Sequence, residues 1–588
     1  MTDTSTFAQA VADYGRTART SLRGPGEPEA QLTPAVSRFV EACGALLGLA
    51  VSTHEQVHEL DGAVKPDLGV LVEGVLTGHV ELKAPGTPLD PDTYGRSTHN
   101  HRQWQRLKEL PNLLHTNGAE WRLWRYGTPI VPPVHVHALD LTRVAGDLTA
   151  PPALEPLLTD FLRWTPVPIT SVAKLVEILA PLARMLREEV AESLRLERRA
   201  RKAGREDHEL PLLGLSRDWR KMLFPQAKDD EFAGGFAQTV VFALLLAVTD
   251  GVDLNKTTLH EVSRRLEGHH TLMGMALNLL TEHIHRTSAG PAVEMIARVL
   301  SGARWELISD PASGDDVYLH LYQHFLAVYD AEKRKATGSY YTPIEVVDFM
   351  VRLTDDVLKR DFGRREGLRN PHVTVIDSSM GTGTYPLSVL RHVGRSAATE
   401  FGDGARPEAV TSMAARLYGI ELQAGPFSVA ELRLSEAMKA EGARMPPGGM
   451  NLYVADTLED PYSGSSRELS YTEQLIARQR QQANKVKRET NVQVSIGNPP
   501  YREKSKGQGG WIENGVDPRT GKAPLDAFTT EDNANHNQHL RNLYAYFWRW
   551  STWKVFESTD GPDVRDGQNG IVCYITATGY LNGAASAG

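Results

Sequence analysis

Residues 373–385 read VTVIDSSMGTGTY, a short run of apolar and β-branched residues that ends in Asp377 and continues into a glycine-containing loop. The pattern predicts a buried strand over residues 373–376, a turn at Gly381-x-Gly383 and then a helix. Glycines at such a turn let the backbone approach a ligand closely. A strand, a glycine turn and a helix N-terminus in this order are typical of the nucleotide cradles of α/β folds.

Three further predicted strands also end in polar residues. Glu421 ends RLYGIE (416–421), Asp456 follows NLYVA (451–455), and Asn498 follows VQVSIG (492–497). Open α/β sheets bind ligands at the carboxyl ends of their strands, so we expect these side chains to line one site. An acidic residue after the second strand suits ribose hydroxyls, and a carboxylate after the third suits an adenine amino group.

The fourth strand continues into Asn498-Pro499-Pro500-Tyr501, which resembles the catalytic motif of adenine-N6 DNA methyltransferases. The order of a Tyr-Thr-Pro element, a glycine loop and this motif resembles the gamma arrangement of those enzymes, and also type IIG and type ISP restriction-modification fusions. The resemblance implies S-adenosyl-L-methionine as cofactor and double-stranded DNA as partner. The cofactor-binding residues that it implies are Tyr341, Thr342, Pro343, Asp377, Gly381, Gly383, Glu421 and Asp456. One departure is Ser378, where the family usually has proline.

The motif has a chemical purpose in such an enzyme. The exocyclic amine of adenine is a poor nucleophile because its lone pair is delocalised into the ring. Acceptors on the Asn498 side chain and the Pro499 carbonyl would localise that lone pair, and Pro499 and Pro500 stiffen the loop. Tyr501 would stack on the extruded base. We further expect a valine at position 383 to occupy the space of the cofactor.

A second candidate site lies near the N-terminus, in KPDLGVLVEGVLTGHVELKAP (65–85). The pattern predicts a hairpin of two strands, residues 68–72 and 79–82, with Asp67 before the first strand. Glu81 and Lys83 are two residues apart, so their side chains share one face. Asp67 and Glu81 are suitable Mg²⁺ ligands, and Lys83 would help to orient water for attack on a phosphodiester. A hairpin with solvated charges is the alternative.

With the helix and strand that follow it, this hairpin resembles the PD-(D/E)xK nuclease fold at the head of restriction-modification fusions. The resemblance implies Asp67, Glu81 and Lys83 as the catalytic residues. Either Glu41 or Glu55 would add an acidic group, and either Gln103 or Gln105 would lie near the scissile phosphate.

The predicted fold class is a multidomain α/β protein. A nuclease-like α/β domain occupies residues 1–150, an all-α connector 151–330, and a Rossmann-like methyltransferase domain 331–588; five prolines between residues 151 and 168 indicate the first boundary. Two basic runs, residues 195–205 and 478–488, are either solvated helix faces or contacts to phosphates.

Composition sets bounds on the alternatives. The 64 basic and 73 acidic residues give a net charge of −9, which neither identifies nor excludes a nucleic-acid-binding protein. Cys43 and Cys573 are too few for a zinc cluster and fit a reducing cytoplasm. The longest apolar run is nine residues (240–248), so we expect no membrane span. No GxxxxGK[ST] loop is found in the sequence, which argues against an ATP-driven motor.

The sequence therefore predicts an adenine-N6 DNA methyltransferase fused to a Mg²⁺-dependent nuclease, acting in restriction-modification or anti-phage defence. One rival is a methyltransferase whose nuclease-like domain is inactive and binds DNA or a partner. A second rival is a sensor or scaffold that binds cofactor and DNA without turnover. In the gamma arrangement a target recognition domain follows the methyltransferase core, so we expect DNA sequence to be read by a domain or subunit beyond residue 588.

Overall fold

The chain forms two compact units in a computed structural model. The first comprises residues 1–213, 247–262 and 277–314, and the second comprises 214–246, 263–276 and 315–588. The residues predicted as a connector, 151–330, are divided between the two units and form no third one. The structure describes residues 6–55, 66–73, 75–138, 140–144, 146–165, 169–206, 210, 212–214, 216–217, 228–267, 270, 273–274, 277–278, 290–308, 317–329, 342–446, 448–463, 471–501, 505–529, 540–558 and 570–576.

A seven-stranded sheet forms the centre of the first unit. Strands β1 to β3 are antiparallel neighbours, β3 and β4 are parallel, and β5 is antiparallel to β4, β6 and β7. The strands are β1 (Val51–Glu55), β2 (Leu68–Val72), β3 (Val75–Leu82), β4 (Leu113–Thr116), β5 (Glu120–Arg125), β6 (Thr128–Pro129) and β7 (Val134–His135). The predicted hairpin is thus confirmed, with a longer second strand.

The two faces of β3 have different roles. Val80 and Leu82 belong to a hydrophobic core that also contains Phe39 and Trp121. Because side chains alternate along a strand, Glu81 and the residues two positions away lie on the opposite face. The first helices of the chain are α1 (Phe7–Ser21), α2 (Pro28–Leu46), α3 (His99–Leu107), α4 (Leu154–Leu162) and α5 (Val172–Lys202).

The middle of the chain is helical, as predicted. Helix α6 is long and apolar enough to cross a membrane by composition, but 83% of its apolar window is buried inside the protein. That burial is typical of a core helix. These helices are α6 (Asp229–Thr249), α7 (Leu259–Glu267), α8 (Gly290–Ser301), α9 (Trp305–Ile308) and α10 (Val317–Tyr329).

The second unit contains a parallel sheet of five strands in the order β10-β9-β8-β11-β12. The strands are β8 (Val375–Asp377), β9 (Leu417–Glu421), β10 (Asn451–Val454), β11 (Val494–Gly497) and β12 (Ile571–Tyr574). The chain winds outward from β8 to β10 and then returns to β11 on the other side. The strand order therefore reverses between β8 and β11, and ligands of open α/β sheets bind at such a switch point.

Helices connect these parallel strands, and the aromatic helix near the C-terminus packs in the core with Trp550 and Trp553 fully buried. The helices of this part are α11 (Ile344–Arg360), α12 (Thr384–Phe401), α13 (Arg406–Ala414), α14 (Ala424–Ala440), α15 (Tyr471–Glu489), α16 (Gly510–Asn514) and α17 (Leu543–Phe556). The predicted mixed α/β architecture is confirmed.

Candidate catalytic sites

Asp377 ends β8 at the switch point of the second unit and is almost fully buried. Its Oδ1 accepts a hydrogen bond from the Ser379 amide at 3.0 Å, whereas its Oδ2 is buried and has no hydrogen-bond partner in the structure. Burial, and secondarily the charge of Glu421, raises the pKa of Asp377 to about 8. A buried acceptor without a donor is costly, so this oxygen suits the amine or hydroxyl of a bound ligand.

Glu421 ends β9 and closes the glycine loop. Its Oε2 accepts from the Gly381 amide at 2.9 Å, and its Oε1 accepts from the Gln423 amide at 2.7 Å. Burial raises the pKa of this carboxyl. Each carboxylate oxygen has a second lone pair, so these backbone bonds leave capacity for the ribose hydroxyls expected from the sequence.

The two glycines of the loop have different functions. Both have positive φ, 56° at Gly381 and 76° at Gly383, which favours glycine. A Cβ at Gly381 would meet open space, whereas a Cβ at Gly383 would lie 3.0 Å from Ala430 Cβ on α14. A valine at 383 would therefore press against Ala430 on α14, and its effect on the space of the cofactor stays a prediction. Gly381 is the position that leaves the loop open.

Arg433 is a member of this loop structure that sequence reasoning missed. Its side chain is buried, and its guanidinium donates to the hydroxyls of Thr382 at 3.2 Å and Thr384 at 3.1 Å. Arg433 thereby fixes the loop between the two glycines. An arginine in the middle of α14 has no local signal for this role, since its partners lie about 50 residues earlier.

Asp456, which follows β10, is held by its own turn and by a basic helix. Asp456 accepts from the Leu458 amide through Oδ1 at 2.9 Å, and its carbonyl accepts from Lys487 Nζ at 2.6 Å. Lys487 is fully buried on α15, and burial lowers its pKa to about 7. From the same helix, Arg488 donates to the Pro461 carbonyl.

Arg480, also on α15, pairs with Glu459. Three of the five cations in the run 478–488 therefore contact residues 456–461, in the loop that carries Asp456. That this helix follows a DNA backbone stays a prediction.

The residues of the catalytic motif contact one another and the Tyr-Thr-Pro element. Asn498 Nδ2 donates to Thr342 Oγ1 at 3.0 Å, and Asn498 Oδ1 accepts from the Tyr501 hydroxyl at 2.6 Å. Pro499 is buried, whereas Pro500 is exposed and Tyr501 is 42% exposed. Pro343 immediately precedes α11, and Tyr341 lies outside the described residues. The structure thus brings Thr342 to Asn498.

Ser378, which replaces the usual proline, joins a cluster of buried hydroxyls. It lies 2.6 Å from the Tyr574 hydroxyl, which also contacts Ser495 at 3.1 Å and Ser551 at 2.5 Å. The Ser378 carbonyl accepts from Thr457 Oγ1 at 2.5 Å. The serine therefore links β8 to β11, β12 and the loop after β10, which a proline ring cannot do through a hydroxyl.

In the first unit the structure brings the three predicted nuclease residues together. Lys83 Nζ donates to Glu81 Oε1 and, at 2.7 Å, to Gln103 Oε1 on α3. The Leu82 amide donates to Asp67 Oδ2 at 2.6 Å. Glu81 Oε2 is buried without a hydrogen-bond partner.

This predicted nuclease site holds two carboxylates, of Asp67 and Glu81, but only one ammonium group, of Lys83. Burial raises the pKa of Asp67 to about 6. Burial and repulsion from Asp67 raise the pKa of Glu81 well above its usual range, and the charge of Lys83 offsets this only in part. A divalent cation would relieve both carboxylates. No group of three or more His, Cys, Asp or Glu side chains is placed to hold a metal within the described ranges, so water and phosphate oxygens would have to complete a Mg²⁺ shell, as is common for this ion.

The two glutamines proposed to lie near a scissile phosphate have different contacts. Gln103 reaches Lys83, whereas Gln105 bonds Lys108 on the exposed side of α3.

A further acidic residue, which the sequence analysis did not consider, interacts with this site. Glu41 accepts from the Thr53 amide at 2.9 Å, and the side chain of Glu55 is not described. Glu29, in the first turn of α2, instead accepts from the Ala84 amide at 3.0 Å, and its charge contributes to raising the pKa values of Asp67, Glu81 and Lys83. Because Glu29 is 38 residues away from Asp67 in the sequence, no local pattern indicated it.

The second unit is a mixed α/β domain with a parallel sheet, polar residues at its strand ends and an Asn-Pro-Pro-Tyr motif. Residues 313–535 match the family model N-6 DNA Methylase, which confirms the predicted resemblance to adenine-N6 DNA methyltransferases. No curated protein matches the chain.

The chain is also similar to parts of several solved structures. The ATP-dependent type ISP restriction-modification enzyme LlaBIII bound to DNA has a TM-score of 0.50 and 18% identity, over 70% of this chain and 26% of that one. A DrdV–DNA complex gives 0.44 and 18%, over 98% and 51%. The type IIG restriction endonuclease BpuSI gives 0.32 and 13%, over 93% and 51%. The chain spans about half or less of the length of these proteins.

Proposed function

We propose that the second unit transfers a methyl group from S-adenosyl-L-methionine to the exocyclic N6 of adenine in double-stranded DNA. The observation that carries this proposal is the position of Asn498. It follows β11 beside β8, so an acceptor for an amine lies next to the cradle formed by Asp377, Gly381 and Glu421. The match of residues 313–535 to N-6 DNA methylases supports the same reaction.

The roles of the residues follow from their chemistry. Asn498 Oδ1 and the Pro499 carbonyl accept hydrogen bonds from the adenine amine and localise its lone pair. Tyr501 leaves Asn498 and stacks on the flipped base. Asp377, Glu421 and Asp456 hold the cofactor, which supplies an electrophilic methyl group when bound. Alignment of the two reactants then provides much of the catalysis.

Substitution of Asn498 by alanine tests the proposal. Asn498→Ala should lower methyl transfer to DNA by about 10²-fold or more, the usual cost of losing one positioned polar partner. Labelled-methyl incorporation into unmethylated plasmid DNA is the readout, and calorimetry with S-adenosyl-L-methionine should give an unchanged Kd. Wild-type turnover in this variant would refute the assignment.

We further propose that the first unit is a Mg²⁺-dependent DNA nuclease in the same restriction-modification or anti-phage system, which would act in the cytoplasm. Asp67 and Glu81 would hold the cation, which would supply an activated water when bound. Lys83, oriented by Gln103, would stabilise charge at the scissile phosphate. The buried Oε2 of Glu81 supports this assignment, because no hydrogen-bond donor of the described residues reaches it.

A plasmid assay separates this proposal from the rival with an inactive nuclease-like unit. Cleavage should require Mg²⁺ but no ATP, should disappear in Lys83→Ala, and should be low on DNA already methylated by the enzyme. Methyl transfer should be unchanged in Lys83→Ala. If methylation is intact but neither the methylated nor the unmethylated plasmid is cleaved, the inactive-nuclease rival is favoured. Equal cleavage of the methylated and unmethylated plasmids would contradict self-protection by methylation.

A further inference from the structure

We propose that His115 is a positioning residue for the cation of the first unit: its ring N–H donates to Glu81 Oε2 and so fixes the carboxylate that holds the cation. The inference rests on the proposed nuclease site, because it concerns the same carboxylate. The sequence resemblance assigns no role to His115, which lies on β4 and not on the hairpin that carries Glu81.

His115 and Glu81 occupy paired positions on neighbouring parallel strands. Glu81 on β3 is the register partner of His115 on β4, and the backbones of adjacent strands lie about 5 Å apart. The next residue of β3, Leu82, and the preceding residue of β4, Leu114, both belong to the hydrophobic core on the other face. The imidazole ring is therefore adjacent to Glu81, on the face that also carries Lys83.

Three polar atoms on this face have no hydrogen-bond partner. Both ring nitrogens of His115 and Oε2 of Glu81 are buried, and no hydrogen bond reaches them from the described residues. Both residues are almost fully buried, so bulk water does not solvate these atoms. Native proteins contain few buried polar groups without partners, because such groups are destabilising. Three of them on paired residues therefore indicate an arrangement that a bound ligand completes.

Lys83 does not supply the missing bond. Its ammonium group has three protons. They are directed to Glu81 Oε1, to the Leu82 carbonyl at 3.1 Å and to Gln103 Oε1 at 2.7 Å. No proton of Lys83 is therefore left for the ring of His115 or for Oε2 of Glu81.

The chemistry of the two groups fits a bond from nitrogen to oxygen. Burial, and then the positive charge of Lys83, lowers the pKa of His115 to about 3, so its ring is neutral and carries one N–H. Either ring nitrogen can carry that proton. A carboxylate that binds a cation is ionised, and its oxygens only accept hydrogen bonds. With a cation bound, the tautomer whose N–H faces Glu81 is therefore favoured.

A cation held by Asp67 and Glu81 would lie on the side of Glu81 away from His115. Strand β3 has β2 on one side and β4 on the other, and Asp67 immediately precedes β2. The side of Glu81 that faces β4 is thus left for His115. Trp104 on α3 stacks with the imidazole, with ring centroids 6.2 Å apart, and limits its rotation. Hydrogen bonds to ligating groups from such neighbours are common at metal sites.

The experiment measures Mn²⁺ binding to the whole metal-free protein by isothermal titration calorimetry, because Mn²⁺ prefers the same oxygen ligands as Mg²⁺. His115→Phe keeps an aromatic ring beside Trp104 but has no N–H. It should raise the Kd for Mn²⁺ by about 10- to 100-fold, the usual cost of losing a partner of a ligating group. His115→Asn and His115→Gln place an amide N–H near Nδ1 and Nε2, and one of the two should restore most of the affinity. If His115→Phe does not fold, His115→Leu makes the same comparison with a smaller side chain.

His79→Phe is the matched control. His79 lies two positions before Glu81 on β3, and its ring nitrogens are also buried without partners. Its register partner on β4 is Leu113, and burial alone lowers its pKa, with no contribution from Lys83. The Kd for Mn²⁺ should therefore be unchanged in His79→Phe.

Wild-type affinity for Mn²⁺ in His115→Phe would overturn the inference. An equal loss of affinity in the phenylalanine, asparagine and glutamine variants of His115 would also overturn it, because the ring would then act through packing. An equal loss in His79→Phe would do the same, since any change on this face would then suffice.

Asp67→Asn separates this inference from the proposed function. If Asp67→Asn binds Mn²⁺ as tightly as the wild type, the proposed cation site itself fails, and the role of His115 fails with it. If Asp67→Asn binds Mn²⁺ weakly while His115→Phe binds it like the wild type, the cation site stands and only the role of His115 is wrong.

Discussion

Asp67→Asn provides a quantitative test of the proposed nuclease site, because ionisation of this buried carboxylate lowers the stability of the folded protein. Its pKa rises from 3.8 to about 6, mainly through burial. A folded-state pKa above the unfolded value means that the folded protein binds more protons between these pH values, so stability falls as pH rises from about 4 to about 6. At 1.36 kcal/mol for each pKa step, ionised Asp67 costs roughly 3 kcal/mol above that window.

Asparagine removes the charge and keeps an oxygen that can accept from the Leu82 amide. Without metal, the variant should equal the wild type near pH 4 and exceed it near pH 7 by an amount approaching 3 kcal/mol, or roughly 5 to 10 °C in midpoint. Differential scanning calorimetry of the whole protein measures this difference. Mg²⁺ should then stabilise the wild type but not the variant. Asp92→Asn, at an exposed position of the same unit, is the matched control and should show neither effect.

Two results would refute this reasoning. A stability difference that is the same near pH 4 and near pH 7 would show that ionisation of Asp67 is not its source. Equal stabilisation of both proteins by Mg²⁺ would show that the cation binds elsewhere.

Three further comparisons test other parts of the two sites. Gly381→Ala and Gly383→Ala should each cost about 1 kcal/mol of backbone strain. The melting temperature should fall further for Gly383→Ala, because the new Cβ would lie 3.0 Å from Ala430 Cβ on α14. Calorimetry should find the larger loss of cofactor affinity for Gly381→Ala. Gln103→Ala should slow plasmid cleavage while Gln105→Ala, whose side chain faces away from Lys83, should not, and equal rates would remove Gln103 from the site. The pKa of Lys487 falls to about 7 through burial, so the unfolded chain binds the extra proton and this residue makes stability rise from about pH 7 to about pH 10. In Lys487→Met, the free energy of unfolding from urea titrations should rise less between these pH values, and cofactor binding should weaken. An unchanged dependence of the free energy of unfolding on pH would contradict the burial argument.

Local sequence patterns determined much of the second unit. Apolar runs that end in a polar residue located β8 to β11 within a residue or two, because a buried parallel strand needs an apolar run and ends where the chain reaches the ligand edge. The same logic placed Asp377, Glu421, Asp456 and Asn498. In the first unit, a period of two placed Glu81 and Lys83 on one face.

The tertiary structure decided the partners of these residues. Glu29 lies beside Asp67, and Lys487 holds the carbonyl of Asp456, although their separations of 38 and 31 residues carry no local signal. Likewise, the atoms that a Cβ at Gly383 would contact depend on where α14 packs.

The division of the chain into two units also depends on packing between segments that are distant in sequence. Prolines between residues 151 and 168 indicated a boundary, but which helices of 151–330 join which unit depends on where their apolar faces are buried. A sequence pattern determines that a helix has such a face, and only packing among distant segments determines what covers it. Local spacing therefore determined the elements and the first residues of each site, whereas long-range packing selected the groups that hold those residues in place.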